Sequence, residues 1–261
     1  MMAVLAMSCA AVAALTRGPL LFTRRGASRP GVTMAHASDA LILCEESAWL
    51  VAAKPAGVTV HEGKQSLTAQ LEAAAGRTKL FPVHRIDRET SGVVLIAKSA
   101  ASAAELQRAL QADETVKRYR GVLAGVPKAR RGRWAASVSN RGEGRRNPRG
   151  ASAERVDALT EYEVAADNGY LSCCEFTLKR GGRTHQIRKH AAIAGMAVVG
   201  DARYGDARRN EQLRARYGYA GMALHSWLLQ IHLDGVEYTF QAPLPPSWEP
   251  LDLGWPAEAG I

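Results

Sequence analysis

The chain has 261 residues, 47% of them hydrophobic and 23% charged, which is the composition of a globular protein rather than a disordered or fibrous one. Its 34 Lys and Arg side chains exceed the 25 Asp and Glu side chains, and the formal net charge of +9 favours a polyanionic partner. Four cysteines without a CxxC pair exclude a disulfide scaffold and provide no zinc motif.

Residues 1–38 differ from the rest of the chain because they contain four arginines and no acidic residue. This composition is typical of an organellar targeting peptide, so we expect a disordered leader over 1–38 and a folded domain over 39–261. The apolar opening is shorter than the roughly 20 residues that cross a bilayer, and we expect no membrane association. If this opening is a signal in front of a transit peptide, the destination is a chloroplast or other plastid; a mitochondrion is the alternative.

From residue 40 onward, the hydrophobic pattern predicts eight strands and three helices. In chain order these are strands over 40–44 and 49–54, a helix over 67–76 capped by Ser66, a strand over 92–98, a helix over 101–111, strands over 117–124, 159–165 and 170–179, a helix over 184–194, and strands over 224–233 and 236–241 joined at Asp234-Gly235. Residues 130–150 are predicted to form a mobile surface loop. Because strands outnumber helices without alternating with them, we predict an α+β fold with a mixed, largely antiparallel sheet flanked by helices and loops.

Residues 117–155 form a strongly basic stretch, with twelve Lys and Arg against two Glu. Arginine predominates, and its planar guanidinium can bind phosphate oxygens through two hydrogen bonds or stack on a base. Tyr119 and Trp134 lie within the stretch and offer rings for unpaired nucleotides. The stretch predicts a nucleic-acid surface and fits RNA and DNA equally.

Five sequence blocks follow one another at compatible spacings. They read KPAGVTVH at 54–61, HRIDRETSGVVLIAK at 84–98, KRYRGVLAG at 117–125, GRTHQIRKH at 182–190 and VVGDARYG at 198–205. This ordered series resembles the RluA-type RNA pseudouridine synthases. Departures are small: Ile86 stands where leucine is usual, Arg120-Gly121 replaces a small or apolar pair, and Met196 stands where the family often has a His-Pro step.

The resemblance implies a catalytic fold with a central basic cleft, in which a uracil is detached from its ribose, rotated and rejoined through carbon 5. It makes Asp87 the essential carboxylate, acting as nucleophile or as base in the alternative glycal route. It pairs Arg188 with Asp87 and places Tyr119 against the target base, where it helps the later removal of the proton at C5. Because only an ionised carboxylate can begin the reaction, we expect a cation beside Asp87. No metal or other cofactor is implied, since the reaction is an isomerisation.

The resemblance also assigns Arg85 to the gap that a flipped uridine leaves in its stack. The other arginines predicted to bind RNA are Arg118, Arg120, Arg145, Arg146, Arg149 and Arg183. Ribosomal RNA and transfer RNA are both open as the substrate, and we expect a monomer. The alternative is a catalytically inactive RNA-binding or RNA-chaperone protein that uses the same cleft. The presence of Asp87, Tyr119 and Arg188 together favours the enzyme.

Other chemistries fit the sequence poorly. Residues 57–64 read GVTVHEGK, with five residues between the glycines where a P-loop requires four. His185 and His190 are five residues apart on a predicted helix and do not converge on one metal. A DNA-binding regulator is disfavoured because no helix-turn-helix or zinc-finger pattern is recognisable.

Overall fold

The computed structural model describes residues 22–25, 41–74, 79–180, 182–251 and 253–255, and its eleven strands form one sheet. In chain order the elements are β1 (Phe22–Arg25), β2 (Ile42–Glu45), β3 (Trp49–Lys54), α1 (Leu67–Ala74), β4 (Phe81–Pro82), β5 (Ser91–Ala97), α2 (Ala100–Gln111), β6 (Val116–Leu123), β7 (Arg131–Trp134), β8 (Leu159–Asp167), β9 (Ser172–Arg180), α3 (Gln186–Ile193), α4 (Ala207–Tyr217), β10 (Leu224–Leu233) and β11 (Val236–Gln241). None of the helices within the described ranges is long and apolar enough to span a membrane.

The sheet follows the order β2-β3-β5-β10-β6-β9-β8-β7, with β4 paired to β5 and with β11 paired to β10 and β1. Every pair is antiparallel except β5 and β10, which run parallel where Ser91 and Gly92 meet His225 and Ser226. The predicted α+β fold with a mixed, largely antiparallel sheet is therefore confirmed.

Strand β5 is buried on both faces, which explains its unbroken run of branched apolar residues. Val93 and Leu95 pack in one core cluster with Leu106 and Leu110 of α2. Residues 94 and 96 face the other way, into a cluster that includes residues 67 and 71 of α1. Each such side chain contributes about 1.5–3 kcal/mol when fully buried, so β5 anchors the sheet between the two helices.

The predicted elements are all present, and β3, β10 and β11 have the predicted bounds. Asp234 and Gly235 both have positive φ, as the predicted tight hairpin requires. The prediction missed β4, β7 and α4. Strand β7 reads RGRW and α4 reads ARRNEQLRARY; neither has a fully buried residue, so neither leaves a hydrophobic pattern in the sequence.

Part of the predicted leader differs from the expectation of disorder. Residues 22–25 form β1, which pairs antiparallel with β11 and places Phe22 opposite Phe240. For these four residues the expectation is wrong, because β11 has an edge that accepts a further strand. Residues 1–21 and 26–38 lie outside the described part of the chain.

Candidate active site

The turn of residues 87–90 holds Asp87 directly before β5. The N–H of Thr90 donates to the carbonyl of Asp87 at 3.1 Å. Three residues upstream, His84 Nε2 accepts the N–H of Leu95 at 2.9 Å, on the edge of β5 left open between β4 and β10. Burial lowers the pKa of His84 to about 3, so the ring stays neutral and able to accept this bond. The histidine of the HRID block therefore fixes the Asp87 turn to the sheet.

A buried lysine fixes the same turn from the other side. Lys54, at the end of β3, donates from Nζ to the carbonyls of Pro55 at 2.8 Å, Val58 at 2.6 Å and Arg88 at 3.0 Å. Burial lowers the pKa of Lys54 to about 8. Its three bonds join residues 55–58 to the Asp87 turn, which gives the lysine of the KPAG block a structural role.

Helix α3 brings Arg188 against Asp87. The guanidinium, 4% exposed, donates from Nη1 to Asp87 Oδ2 at 2.9 Å, and from Nε and Nη2 to the two oxygens of Asp201 at 2.7 and 3.0 Å. Although burial opposes the charged form, the bonds to Asp201 and the attraction of Asp87 raise the pKa of Arg188. The expected cation beside Asp87 is therefore present, and Asp201 fixes its orientation.

A cleft of about 580 Å³ opens above this ion pair. Tyr119 projects into it from β6 and is half-buried, and burial raises the pKa of Tyr119 to about 12. Basic residues along the cleft outnumber carboxylates five to three: Arg85, Arg88, Lys117, Arg183 and Arg188 against Glu62, Asp87 and Glu89. The cleft therefore combines the Asp87 carboxylate, the buried Arg188 guanidinium and the Tyr119 ring with a basic rim. The described residues contain no group of three metal-ligating side chains.

Two of the predicted RNA-binding arginines lie at this cleft. Arg85 is exposed at its rim and forms an ion pair with Glu62 at 3.4 Å. Arg183 is half-buried, and its Nε is buried without a hydrogen-bond partner among the described residues. A buried donor of this kind costs free energy, and the support for an RNA contact is that Arg183 lines the cleft.

The prediction for Arg120 is wrong. Its side chain is 4% exposed, its Nε bonds Glu175 Oε1 at 3.0 Å, and its guanidinium carbon lies 4.1 Å from the centre of the Trp227 ring. Arg118 is exposed, but it lines a groove with Arg131 on the sheet face opposite Tyr119. Side chains alternate along a strand, so Arg118 and Arg120 both face away from the cleft.

Residues 136–150 form a basic loop beside the cleft, and it is anchored to α3. Lys189, fully buried, donates to Ser139 O at 2.8 Å, Ser139 Oγ at 3.1 Å and Arg141 O at 2.8 Å. A Cβ on Gly142 would lie 3.5 Å from the His185 ring, so the loop reaches the edge of the cleft. The three arginines predicted to bind RNA here, Arg145, Arg146 and Arg149, are exposed. The loop predicted to be mobile is therefore attached to α3 through Lys189.

Trp134, whose ring was predicted to be available to a nucleotide, packs against other aromatic side chains of the fold. Its ring lies 4.8 Å from that of Tyr162 and 5.8 Å from that of Phe176, partly buried against the core cluster that β8, β9 and α3 form. These ring contacts give Trp134 a packing role in the fold.

Sequence reasoning missed the residues that hold the site together. Asp201 and Tyr204 belong to the VVGDARYG block, whose polar residues were given no role at the site by the prediction. Lys189 gave no signal, because a lysine beside Arg188 resembles a surface residue; only the burial of α3 on all sides reveals its role. Lys54 lies in the KPAG block, but the sequence analysis predicted no role for it.

Comparisons with known proteins place this geometry in context. The family model described as RNA pseudouridylate synthase matches residues 48–193. An uncharacterized RNA pseudouridine synthase of Chlorobaculum parvum is 32% identical over 240 residues, covering 80% of this chain and 72% of that protein. The ribosomal large subunit pseudouridine synthase C of Rickettsia felis is 30% identical, covering 78% and 67%. The fold is similar to that of human RNA pseudouridylate synthase domain containing 4, with a TM-score of 0.69 at 24% identity, covering 83% of this chain and 94% of that one.

Proposed function

The chain belongs to the RNA pseudouridine synthase family, and from that premise we propose that it converts particular uridines of ribosomal or transfer RNA to pseudouridine in its cleft. The observation that carries the proposal is the Asp87–Arg188 pair, at 2.9 Å, at the floor of a basic cleft beside Tyr119. The name of the Rickettsia relative supports ribosomal RNA as the first substrate to test.

In this proposal Asp87 acts on the ribose of a flipped uridine. Arg188 holds Oδ2, while Asp87 attacks C1′ or, in the glycal route, removes the proton from C2′. The C1′–N1 bond breaks, the uracil turns, and C5 bonds to C1′. In the nucleophilic route the Asp87–C1′ bond breaks as the C1′–C5 bond forms, and in the glycal route Asp87 returns the proton to C2′. The proton that then leaves C5 is matched by one gained at N1. The sum is an isomerisation, so the chemistry balances without a further reactant.

Tyr119 and the rim arginines would position the RNA. The raised pKa of Tyr119 keeps its hydroxyl protonated near neutral pH, which favours a ring that supports the base over a phenolate that removes a proton. Arg85 is exposed at the rim, as a residue that replaces the flipped base in its stack must be. Arg183 lines the same cleft, where a guanidinium can bind a backbone phosphate.

The direct test measures release of tritium from RNA labelled at C5 of uridine, because that hydrogen leaves when C5 joins the ribose. We expect purified protein to release tritium from ribosomal or transfer RNA without an added cofactor, at sites that mapping identifies as pseudouridine. Tight binding to both RNAs with no tritium release would instead support the RNA-binding or chaperone alternative.

The basic loop provides a prediction about affinity. Replacing Arg145, Arg146 and Arg149 together by Gln should weaken RNA binding and reduce the salt dependence of the binding constant, because each lost phosphate contact removes about 0.7–0.9 from the logarithmic slope. Titrations of RNA binding between low and physiological salt measure this slope. The rate at saturating RNA should change little, since these side chains lie outside the cleft.

The opposite sheet face supplies the matched control. Replacing Arg118, Arg131 and Arg133 by Gln removes the same charge from the groove on that face. We expect this variant to keep the wild-type salt slope. Equal effects of the two triple variants would show that RNA binding follows total charge and is not localised at the loop.

We also propose that the leader directs the protein to a plastid, with a mitochondrion as the alternative. The acid-free, arginine-containing composition of residues 1–38 supports this proposal. Fusing residues 1–38 to a fluorescent protein and following its location tests it; fluorescence spread evenly through the cytosol would contradict the proposal.

A further inference from the structure

His185 has a strained backbone at the edge of the cleft. Its φ of 58° and ψ of 28° are left-handed, and Asp234 in the β10–β11 turn is the other non-glycine residue with positive φ in the described ranges. His185 is the N-cap of α3, yet its side chain makes no capping hydrogen bond. A non-glycine residue in this region costs about 1–3 kcal/mol and is retained where the surroundings fix it, often at functional sites.

The ring of His185 lies between a tyrosine hydroxyl and the proposed catalytic carboxylate. Nδ1 is 2.9 Å from the hydroxyl of Tyr204, and Nε2 is 3.7 Å from Asp87 Oδ1. The tyrosine is itself fixed: its side chain is 2% exposed, and its backbone N–H bonds Asp201 Oδ1 at 3.0 Å. The same Asp201 that orients Arg188 therefore also helps to hold the tyrosine that reaches His185.

The partners determine where the imidazole proton must lie. A carboxylate only accepts, so a favourable contact with Asp87 requires the proton on Nε2, while the Tyr204 hydroxyl donates to Nδ1. Burial lowers the pKa of His185, and the opposing attraction of Asp87 does not restore it. The ring is thus a neutral donor whose Nε2 lies nearest Oδ1, the carboxylate oxygen that Arg188 does not bond.

We infer that His185 is a positioning residue for Asp87: in the RNA complex its Nε2–H, set by Tyr204, holds Oδ1 while Arg188 holds Oδ2, so that the plane of the carboxylate is fixed when substrate is bound. The separation of 3.7 Å is longer than a hydrogen bond, and such contacts commonly shorten when substrate closes the site. This inference rests on the proposed function, because it assigns a partner to the same carboxylate.

The first experiment examines the ring itself and needs no activity. Nitrogen NMR of the full chain, labelled at histidine, should show His185 neutral at pH 7 with its proton on Nε2. Tyr204→Phe keeps the aromatic ring and removes the hydroxyl, and it should give a mixture of tautomers. A wild-type ring that is charged at pH 7, or that carries its proton on Nδ1, would overturn the inference.

The second experiment separates positioning from folding. His185→Gly removes the ring and also the left-handed strain, so stability should not fall for that reason. We expect its single-turnover rate to drop about 10- to 100-fold, as for a displaced catalytic group, with RNA affinity within about threefold of wild type. Tyr219→Phe is the matched control for Tyr204→Phe, because it removes the hydroxyl of a buried tyrosine in the separate cluster with Trp248. This control should keep the wild-type rate.

The outcomes separate the inference from the function on which it rests. Wild-type protein that forms no pseudouridine would contradict the proposed function, even if the tautomer is the expected one. Wild-type protein that is active, together with a His185→Gly variant that keeps its rate or loses only RNA affinity, would contradict the role of His185 alone.

Discussion

Asp87→Asn is expected to lower the single-turnover rate of pseudouridine formation by about three orders of magnitude or more, because the amide can neither attack C1′ nor act as a base. RNA affinity should stay within about threefold of wild type, since the two side chains have the same shape. Arg188 should remain in place, because Asp201 still holds it through two hydrogen bonds. Rates and dissociation constants measured on the same labelled RNA test both statements.

Asp113→Asn is the matched control for this variant. Asp113 is exposed in the turn after α2, and its replacement removes the same charge without touching the cleft. The control should keep the wild-type rate. If Asp87→Asn formed pseudouridine within tenfold of the wild-type rate, Asp87 would not be the carboxylate that begins the reaction.

Gly92→Ala is expected to cost about 3–5 kcal/mol of unfolding free energy, which places it among the most damaging single substitutions. Gly92 has a φ of 116°, and a Cβ there would lie 2.1 Å from the carbonyl oxygen of Ser226. The two residues are paired in the parallel junction between β5 and β10, so neither backbone can shift without parting the strands. Chemical denaturation measures the loss, and pseudouridine formation should fall with it because Asp87 precedes β5.

Gly57→Ala separates the two causes of the stability loss in Gly92→Ala, which are the strain of the left-handed backbone and the contact of the new Cβ with Ser226. Gly57 has a φ of 86°, but a Cβ there would meet no atom within 4 Å. Its replacement should therefore cost only the backbone strain of about 1–2 kcal/mol. Similar losses for the two variants would show that the left-handed conformation alone decides the effect, and that the contact with Ser226 adds nothing.

The sequence predicted the parts of the fold that leave a pattern within a few residues. The β10–β11 hairpin was predictable from Asp234-Gly235 and its apolar flanks, and β5 from its run of branched residues. Pairing of Asp87 with Arg188, 101 positions apart, came from the family resemblance and not from local pattern. The catalytic roles themselves remain predictions.

Arg120 shows why the rest of the site could not be predicted so easily. Alternation along β6 was available in the sequence and indicates that Arg118 and Arg120 face away from Tyr119. Arg120 is buried while Arg118 is exposed. This difference depends on Trp227 and Trp255, which lie against Arg120 and come more than a hundred residues later in the chain. Burial of this kind follows from tertiary packing and cannot be predicted from the charge pattern of the neighbouring residues.

The attachment of the basic loop separates the residues proposed to contact RNA from the Asp87–Arg188 pair proposed to carry out the reaction. Lys189 holds one end of the loop to α3, and Arg155 holds the other end through the carbonyl of Gly150 at 2.7 Å. Between these ends, residues 144–147 are exposed. We expect substitutions there to alter which RNA surface is preferred without moving the carboxylate or its guanidinium. A chain built in this way can change its target in evolution, or by grafting of a foreign segment, while its chemistry is preserved.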